Sequence, residues 1–122
     1  MKIKVKKFKS VKSTNDVAIK LIKKNKTQPT MIFSEKQKNG RGTMGKKWIS
    51  QKGNLFVSIF FEINQKRINF KKFSILNALI LKKLVSEFIC KKVRIKWPND
   101  LLYNKEKICG ILQEIIIHNK KL

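Results

Sequence analysis

The sequence predicts an α+β fold, a mixed and largely antiparallel sheet with flanking helices. Three observations carry this: two amphipathic helical segments, strand-like runs that end in hairpin signals rather than alternating with helices, and a globular composition. Of 122 residues, 42% are hydrophobic and 30% charged, with only 5 Gly and 2 Pro, so the chain has the material for a packed core. Its length fits one domain, residues 1–122, without internal repeats or linkers.

The first run, "KIKVKKF", places Ile3 and Val5 against outward lysines and reads as an edge strand. "STND" opens a helix, because Ser13 is a good N-cap with Asp16 three residues on, and Val17, Ala18, Leu21 and Ile22 share one face. That helix ends near Asn25, and "TQPT" turns the chain into the short strand "TMIFSE". After the loop "KQKNGRGTMGKKW", the run "NLFVSIFFEI" is almost continuously apolar, which predicts a long central strand. "QKRIN" then turns into "FKKFSILNALILKKLVSEFI", where Phe73, Leu76, Ile80, Leu84 and Phe88 recur at helical spacing and predict the buried face of a helix. "KKVRIKW" is a strand that Pro98 ends or confines to an edge. "DLLY", the turn "NKEK" and "KICGILQEIII" form a hairpin, with Gly110 as a bulge or a point of close backbone approach.

Composition also excludes several classes. No apolar run approaches the roughly 18 residues of a membrane span, and the start "MKIKVKKFKSVK" lacks the apolar middle of a signal peptide, so the sequence reads as cytoplasmic. Cys90 and Cys109 are too isolated for a disulfide framework or zinc site and read as reduced packing residues. The lone His118 reads as a strand-end residue. The net charge of +23 invites a polyanion partner, but the lysines fall in twos and threes along every segment and arginine is scarce.

Three short stretches carry chemistry. In "NGRGTMGKKW", Gly40, Gly42 and Gly45 let backbone N–H groups converge beside the Arg41 guanidinium, an anion-friendly loop that could equally be a flexible hairpin connection. It is not a dinucleotide fingerprint, because a strand and not a helix follows. "KWPND" places Lys96, Asn99 and Asp100 at one sheet edge, in what is also good turn chemistry. In "KICGI", Lys107 either points outward or points inward and needs a counter-charge, which a bound carboxylate or phosphate would supply.

Taken together, "STN" at Ser13 to Asn15, "Q..GRG..G..W" from Gln37 to Trp48, "KWPNDL" from Lys96 to Leu101 and "K..GIL" from Lys107 to Leu112 resemble the biotin protein ligase family, in order and spacing, from about Lys9 to the end. The resemblance implies the fold shared with class II aminoacyl-tRNA synthetases. It implies an ATP-dependent ligase that activates biotin as biotinyl-5'-AMP and passes it to a lysine of a biotin carboxyl carrier protein, the carrier domain of acetyl-CoA carboxylase. By that resemblance Ser13, Thr14, Asn15, Gln37 and Gly40 bind biotin. Arg41 and Lys107 are the catalytic pair on the biotin carboxylate and the α-phosphate, and Gly110 lets the backbone approach biotin. Gly42, Thr43, Lys46, Trp48, Asn99 and Asp100 face ATP, with Asp100 toward Mg²⁺.

The same comparison exposes departures. Many members carry a second arginine where this chain has Thr43, which implies a looser grip on the adenylate. The chain starts almost at the catalytic core, without the family's N-terminal winged helix, and stops before its next Gly- and Asn-bearing strand and small C-terminal β domain. The expectation is therefore an incomplete catalytic domain without specific DNA binding, with room for a homodimer. An inactive fragment, a lipoate ligase and a basic nucleic-acid-binding module are the alternatives.

Overall fold

The computed structural model describes residues 1–67, 69–89 and 92–118, in two units: Met1–Glu62 with the chain from Glu114 onward, and Ile63–Gln113. Cys90 and Lys91 lie outside the described residues.

In the first unit, strand β1 (Lys4–Phe8) leads to helix α1 (Thr14–Lys23) and back to strand β2 (Thr30–Ser34), which pairs parallel with β1. A hairpin of two-residue strands, β3 (Gly40–Arg41) and β4 (Lys47–Trp48), precedes β5 (Phe56–Phe60), antiparallel to β2. Ser13 caps α1 as the sequence predicts, its Oγ accepting from Asp16 N at 3.3 Å. The helix ends at Lys23, and Asn25 turns out of it with φ +59°.

The order β1-β2-β5 makes β2 the central strand, not β5. β5 is also five residues long rather than ten. Its apolar run conceals an alternation: Phe56 and Ser58 are buried with Ile32 and Ser34 of β2 on the face that α1 covers through Ala18, while Val57 and Ile59 on the other face are half exposed. Hydrophobicity alone read that outer face as interior.

In the second unit, helix α2 (Phe70–Phe88) packs near an antiparallel sheet of β6 (Arg94–Lys96), β7 (Asp100–Tyr103) and β8 (Glu106–Gly110). Asn69 caps α2, its Oδ1 accepting from Lys71 N and Lys72 N. The expected inner stripe is wrong for most of its length: Leu76, Ile80, Leu84 and Phe88 are 47%, 54%, 49% and 82% exposed, and only Phe73 is partly covered. The side turned inward runs through Ser74, Ala78, Leu81 and Val85, with Ala78 fully buried. α2 is apolar almost all round, so periodicity did not single out one face, and the small Ala78 marks where neighbours come closest.

β6 stops before Pro98, as expected. The β7–β8 turn is Asn104-Lys105, both at positive φ (49° and 65°), the two-residue geometry that matches strand twist. The bulge falls at Ile108, since Leu101 pairs with Cys109 and Leu102 with Lys107, whereas Gly110 sits in register with Asp100. β8 ends at Gly110 instead of running through "ILQEIII"; the next residue, Ile111, still donates its N–H to Asn99 O at 2.8 Å, while its C=O accepts from the Asn99 side chain, Nδ2, at 3.1 Å. His118 therefore lies outside any strand.

Candidate functional site

The parallel pairing of β1 with β2 continues beyond both strands, and this assembles the first group of residues. Glu35 N bonds to Phe8 O, Val11 bridges Gln37, and Asn39 N bonds to Lys12 O at 2.8 Å. Gln37 is thereby carried to the N-terminus of α1, where Thr14 donates to Gln37 Oε1 from its backbone N–H (2.9 Å) and its hydroxyl (3.2 Å). Gln37 Nε2 in turn donates to Ser50 Oγ at 3.1 Å, and Ser50 Oγ donates to Trp48 O. From the other side, the buried Ser58 hydrogen-bonds Thr14 Oγ1 at 2.7 Å and Asn15 Oδ1.

Gly40 sits within this network and is buried. A Cβ there would stand 2.6 Å from Ser50 Oγ, 2.7 Å from Trp48 O and 3.0 Å from Gln37 Nε2, so no other residue fits without displacing the backbone opposite. Arg41 follows at once, half buried. Its Nε donates to Asp16 Oδ1 at 2.9 Å, and its Nη2 lies 2.8 Å from both Asp16 Oδ1 and Glu114 Oε1. Glu114 Oε1 also accepts from Asn15 Nδ2 at 2.9 Å, which joins Arg41 to the hydroxyl network.

The charges respond accordingly. The bond to Glu114 raises the Arg41 pKa above its ordinary value; partial burial opposes this, and the charges of Glu114 and Asp16 reinforce it. For Glu114, partial burial alone would raise the pKa, but the hydrogen bonds from Arg41 and Asn15 and the Arg41 charge outweigh it and hold the carboxyl below the usual glutamate range.

Beyond Arg41 the loop tip is exposed. Gly42 N bonds to Lys46 O at 2.7 Å and Lys46 N to Thr43 O at 3.1 Å, closing a single 3₁₀ turn at Thr43–Gly45 in which Met44 and Gly45 take positive φ (56° and 71°). Thr43 and Lys46 face solvent there, while Trp48 is half buried opposite Gly40.

The second group lies in the other unit. Lys107 Nζ is 3.0 Å from Asp100 Oδ2, so the counter-charge that the sequence asked for is Asp100. Asn99 is tied to Ile111, its amide donating to a backbone carbonyl. Cys109 is a free, half-buried thiol whose pKa is pushed up by burial and by the Asp100 charge, which leaves it protonated and poorly nucleophilic. Among the described residues no group of three His, Cys, Asp or Glu side chains could hold a metal. Asp100 offers one carboxylate, which suits a Mg²⁺ held mainly by phosphate oxygens and water, and not a protein cage.

The structure thus brings Ser13, Thr14, Asn15, Gln37, Gly40 and Arg41 together in one unit, and Asn99, Asp100, Lys107 and Gly110 in the other. Sequence reasoning missed Ser50, Ser58, Glu114 and the second role of Asp16. A signal existed for the acids. In a chain of 30 basic and 7 acidic residues, three of the seven pair with Arg41 and Lys107, the two residues expected to be the catalytic pair. Ser58 was marked by the period-2 pattern Phe56, Ser58, Phe60, hidden in an apolar run.

A helix N-terminus and a glycine-arginine loop are braced by one polar network in an α+β module, and the donors and acceptors gathered there are of the kind that can hydrogen-bond a polar ligand. The chain belongs to the biotin/lipoate A/B protein ligase family, whose model matches residues 7–122. It is 34% identical over 106 residues to the bifunctional ligase/repressor BirA of Escherichia coli strain K12, covering 86% of this chain and 33% of that one. It is 30% identical over 105 residues to the biotin--[acetyl-CoA-carboxylase] ligase of Paracoccus denitrificans, covering 84% of this chain and 43% of that one. The fold matches the biotin protein ligase of Aquifex aeolicus in complex with biotin and ATP, with a TM-score of 0.78 and 30% identity over 92% of this chain and 47% of that one. The chain therefore spans a third to a half of the length of these relatives.

Proposed function

We propose that this chain binds biotin and ATP, forms biotinyl-5'-AMP and directs the biotinyl group to a lysine of a biotin carboxyl carrier protein. The observation that carries the reading is the single network joining Ser13–Asn15, Gln37, Gly40 and Arg41, in a chain whose relatives are biotin ligases, one of them solved with biotin and ATP. Family-wide resemblance assigns the ureido ring to Ser13, Thr14 and Gln37, whose donors and acceptors already form a polar cradle at the α1 N-terminus.

The chemistry requires a biotin carboxylate oxygen to bond to the α-phosphorus of ATP as the bond to pyrophosphate breaks. Both reactants are anions, so the site must neutralise them before they approach. Arg41 suits the carboxylate and α-phosphate because its fork donates to two coplanar oxygens at once. Lys107 supplies a second cation, and Asn99 and Asp100 are assigned to the nucleotide and to Mg²⁺, which would neutralise the triphosphate. In the second half-reaction the acceptor amine displaces AMP from the biotinyl carbonyl. A cytoplasmic setting goes with this reading, since Cys109 is a free thiol and no described helix is long and apolar enough to cross a membrane.

The test is incubation of the chain with biotin, Mg-ATP and a carrier domain, scored for pyrophosphate and for biotin on the acceptor lysine. Arg41→Ala should abolish pyrophosphate release while the chain stays folded, because Asp16 and Glu114 are exposed enough to be rehydrated. Unchanged release in that variant would refute the role of Arg41.

One observation favours polyanion binding as a second reading. Lys20, Lys23 and Lys24 line one depression beside α1, and Lys4, Lys6 and Lys26 line another. Binding of this kind should fall steeply between roughly 50 and 200 mM salt, whereas biotin binding should hardly change.

A further inference from the structure

The Arg41 fork already holds an anion. Nη2 meets Glu114 Oε1 at 2.8 Å and Nη1 meets Glu114 Oε2 at 3.4 Å, the end-on, two-pronged arrangement in which a guanidinium donates to the two oxygens of a carboxylate or phosphate. Asp16 occupies a different part of the group, bonding Nε and sharing Nη2.

We infer that Glu114 is the resident anion of the Arg41 site, a positioning residue that holds the fork in readiness and is exchanged for the anionic end of an incoming ligand. This rests on the reading of Arg41 as the ligand's anion grip.

Three features separate Glu114 from Asp16 in this role. Asp16 is fixed in the first turn of α1, its backbone N–H bonded to the Ser13 cap. Glu114 lies beyond β8, in chain without regular structure. Departure of Glu114 also uncovers a second donor, because Asn15 Nδ2 donates to the same carboxylate oxygen as Arg41 Nη2. A ligand carboxylate or phosphate would therefore meet a fork and an amide already aimed, with Asp16 still orienting Arg41.

The exchange has a consequence for selectivity. A neutral ligand gains too little on a guanidinium to displace a carboxylate, so it binds beside an occupied fork, and only an anionic ligand meets the competition of Glu114. That competition lowers the apparent affinity for the right anion, since the fork must be vacated first.

The test uses the whole chain with Glu114→Gln, which keeps the shape and weakens the charge pairing. Biotin and its neutral primary amide are titrated by calorimetry, and the Arg41 Nε–H signal is followed by NMR. Biotin should bind about three- to fivefold more tightly to the variant, the amount by which a partly exposed charge pair competes, while the neutral amide should bind as before. Equal or weaker biotin binding by the folded variant overturns the inference, as does an equal change for both ligands. Should Glu114→Gln fail to fold, Glu114→Asp, one methylene short of the fork, is expected to shift biotin binding in the same direction. If no form binds biotin, the ligand reading fails separately, and inorganic phosphate decides the exchange. A shift of the Arg41 signal at about three- to fivefold lower phosphate in the variant than in the parent supports it, and identical titrations refute it.

Discussion

Lys107 and Asp100 face each other between neighbouring strands, with Nζ 3.0 Å from Oδ2, and Asp100 is the more buried partner. Replacing Lys107 by Ala removes the cation from Asp100. The expected stability loss is about 1 kcal/mol, because Lys107 itself is 43% exposed and water screens the pair. Pyrophosphate release should fall far more, by about 10²-fold or beyond, if Lys107 meets transition-state charge. Chemical denaturation alongside a pyrophosphate assay separates the two effects.

Two glycines of one loop should respond oppositely. Gly40→Ala drives a Cβ to 2.6 Å from Ser50 Oγ and 2.7 Å from Trp48 O, so it should cost about 1–3 kcal/mol and displace Gln37. Gly42→Ala meets nothing nearer than Lys46 O at 3.5 Å and should be tolerated within about 0.5 kcal/mol. Thermal unfolding of both variants checks the contrast.

Ser58→Ala leaves Thr14 and Asn15 without their shared buried hydroxyl. Unfolding free energy should drop by about 1–3 kcal/mol. Biotin affinity, measured by calorimetry, should drop as well, since Asn15 loses the bond that holds its amide toward Glu114.

The folded Glu114 carboxyl titrates below its ordinary value of 4.5. A lowered carboxyl pKa adds stability that is fully present above the unfolded value and is lost as pH falls through the folded one. Stability should therefore lose this contribution only below about pH 4.5, as protons compete with Arg41 for the carboxylate. A series of denaturant midpoints against pH should show a shallower acid slope for Glu114→Gln than for the parent.

The two sides of α2 should also separate. Ile80→Gln and Leu84→Gln fall on the open side and should change stability by no more than about 0.5 kcal/mol. Ala78→Leu overfills a site with no exposure at all and should cost about 1–3 kcal/mol.

Much of the fold was legible because its signals are local. Ser13 and Asp16 mark a helix start through the reach of a single side chain, and Asn104-Lys105 falls within the turn read between "DLLY" and "KICGI". The errors lie where neighbours decide. An almost continuously apolar run predicts a central β5, yet only one of its faces meets α1. The stripe from Leu76 to Phe88 has helical spacing, but so does the side running through Ala78, and a helix apolar all round cannot announce which side will be used.

The candidate site divides in the same way. The sequence by itself determined which residue types are present at which spacing: a capping serine, a glycine-flanked arginine, a Pro-Asn-Asp turn and a lysine before Gly110. These are properties of the chain and survive any packing. Only the tertiary structure decided that Arg41 meets Asp16 and Glu114, 25 and 73 residues away, and that Ser58 closes the network from β5. Ion pairs and buried hydroxyl bonds depend on distances of about 3 Å, and no spacing along the chain specifies these until parallel pairing of β1 with β2 has carried Gln37 to the start of α1.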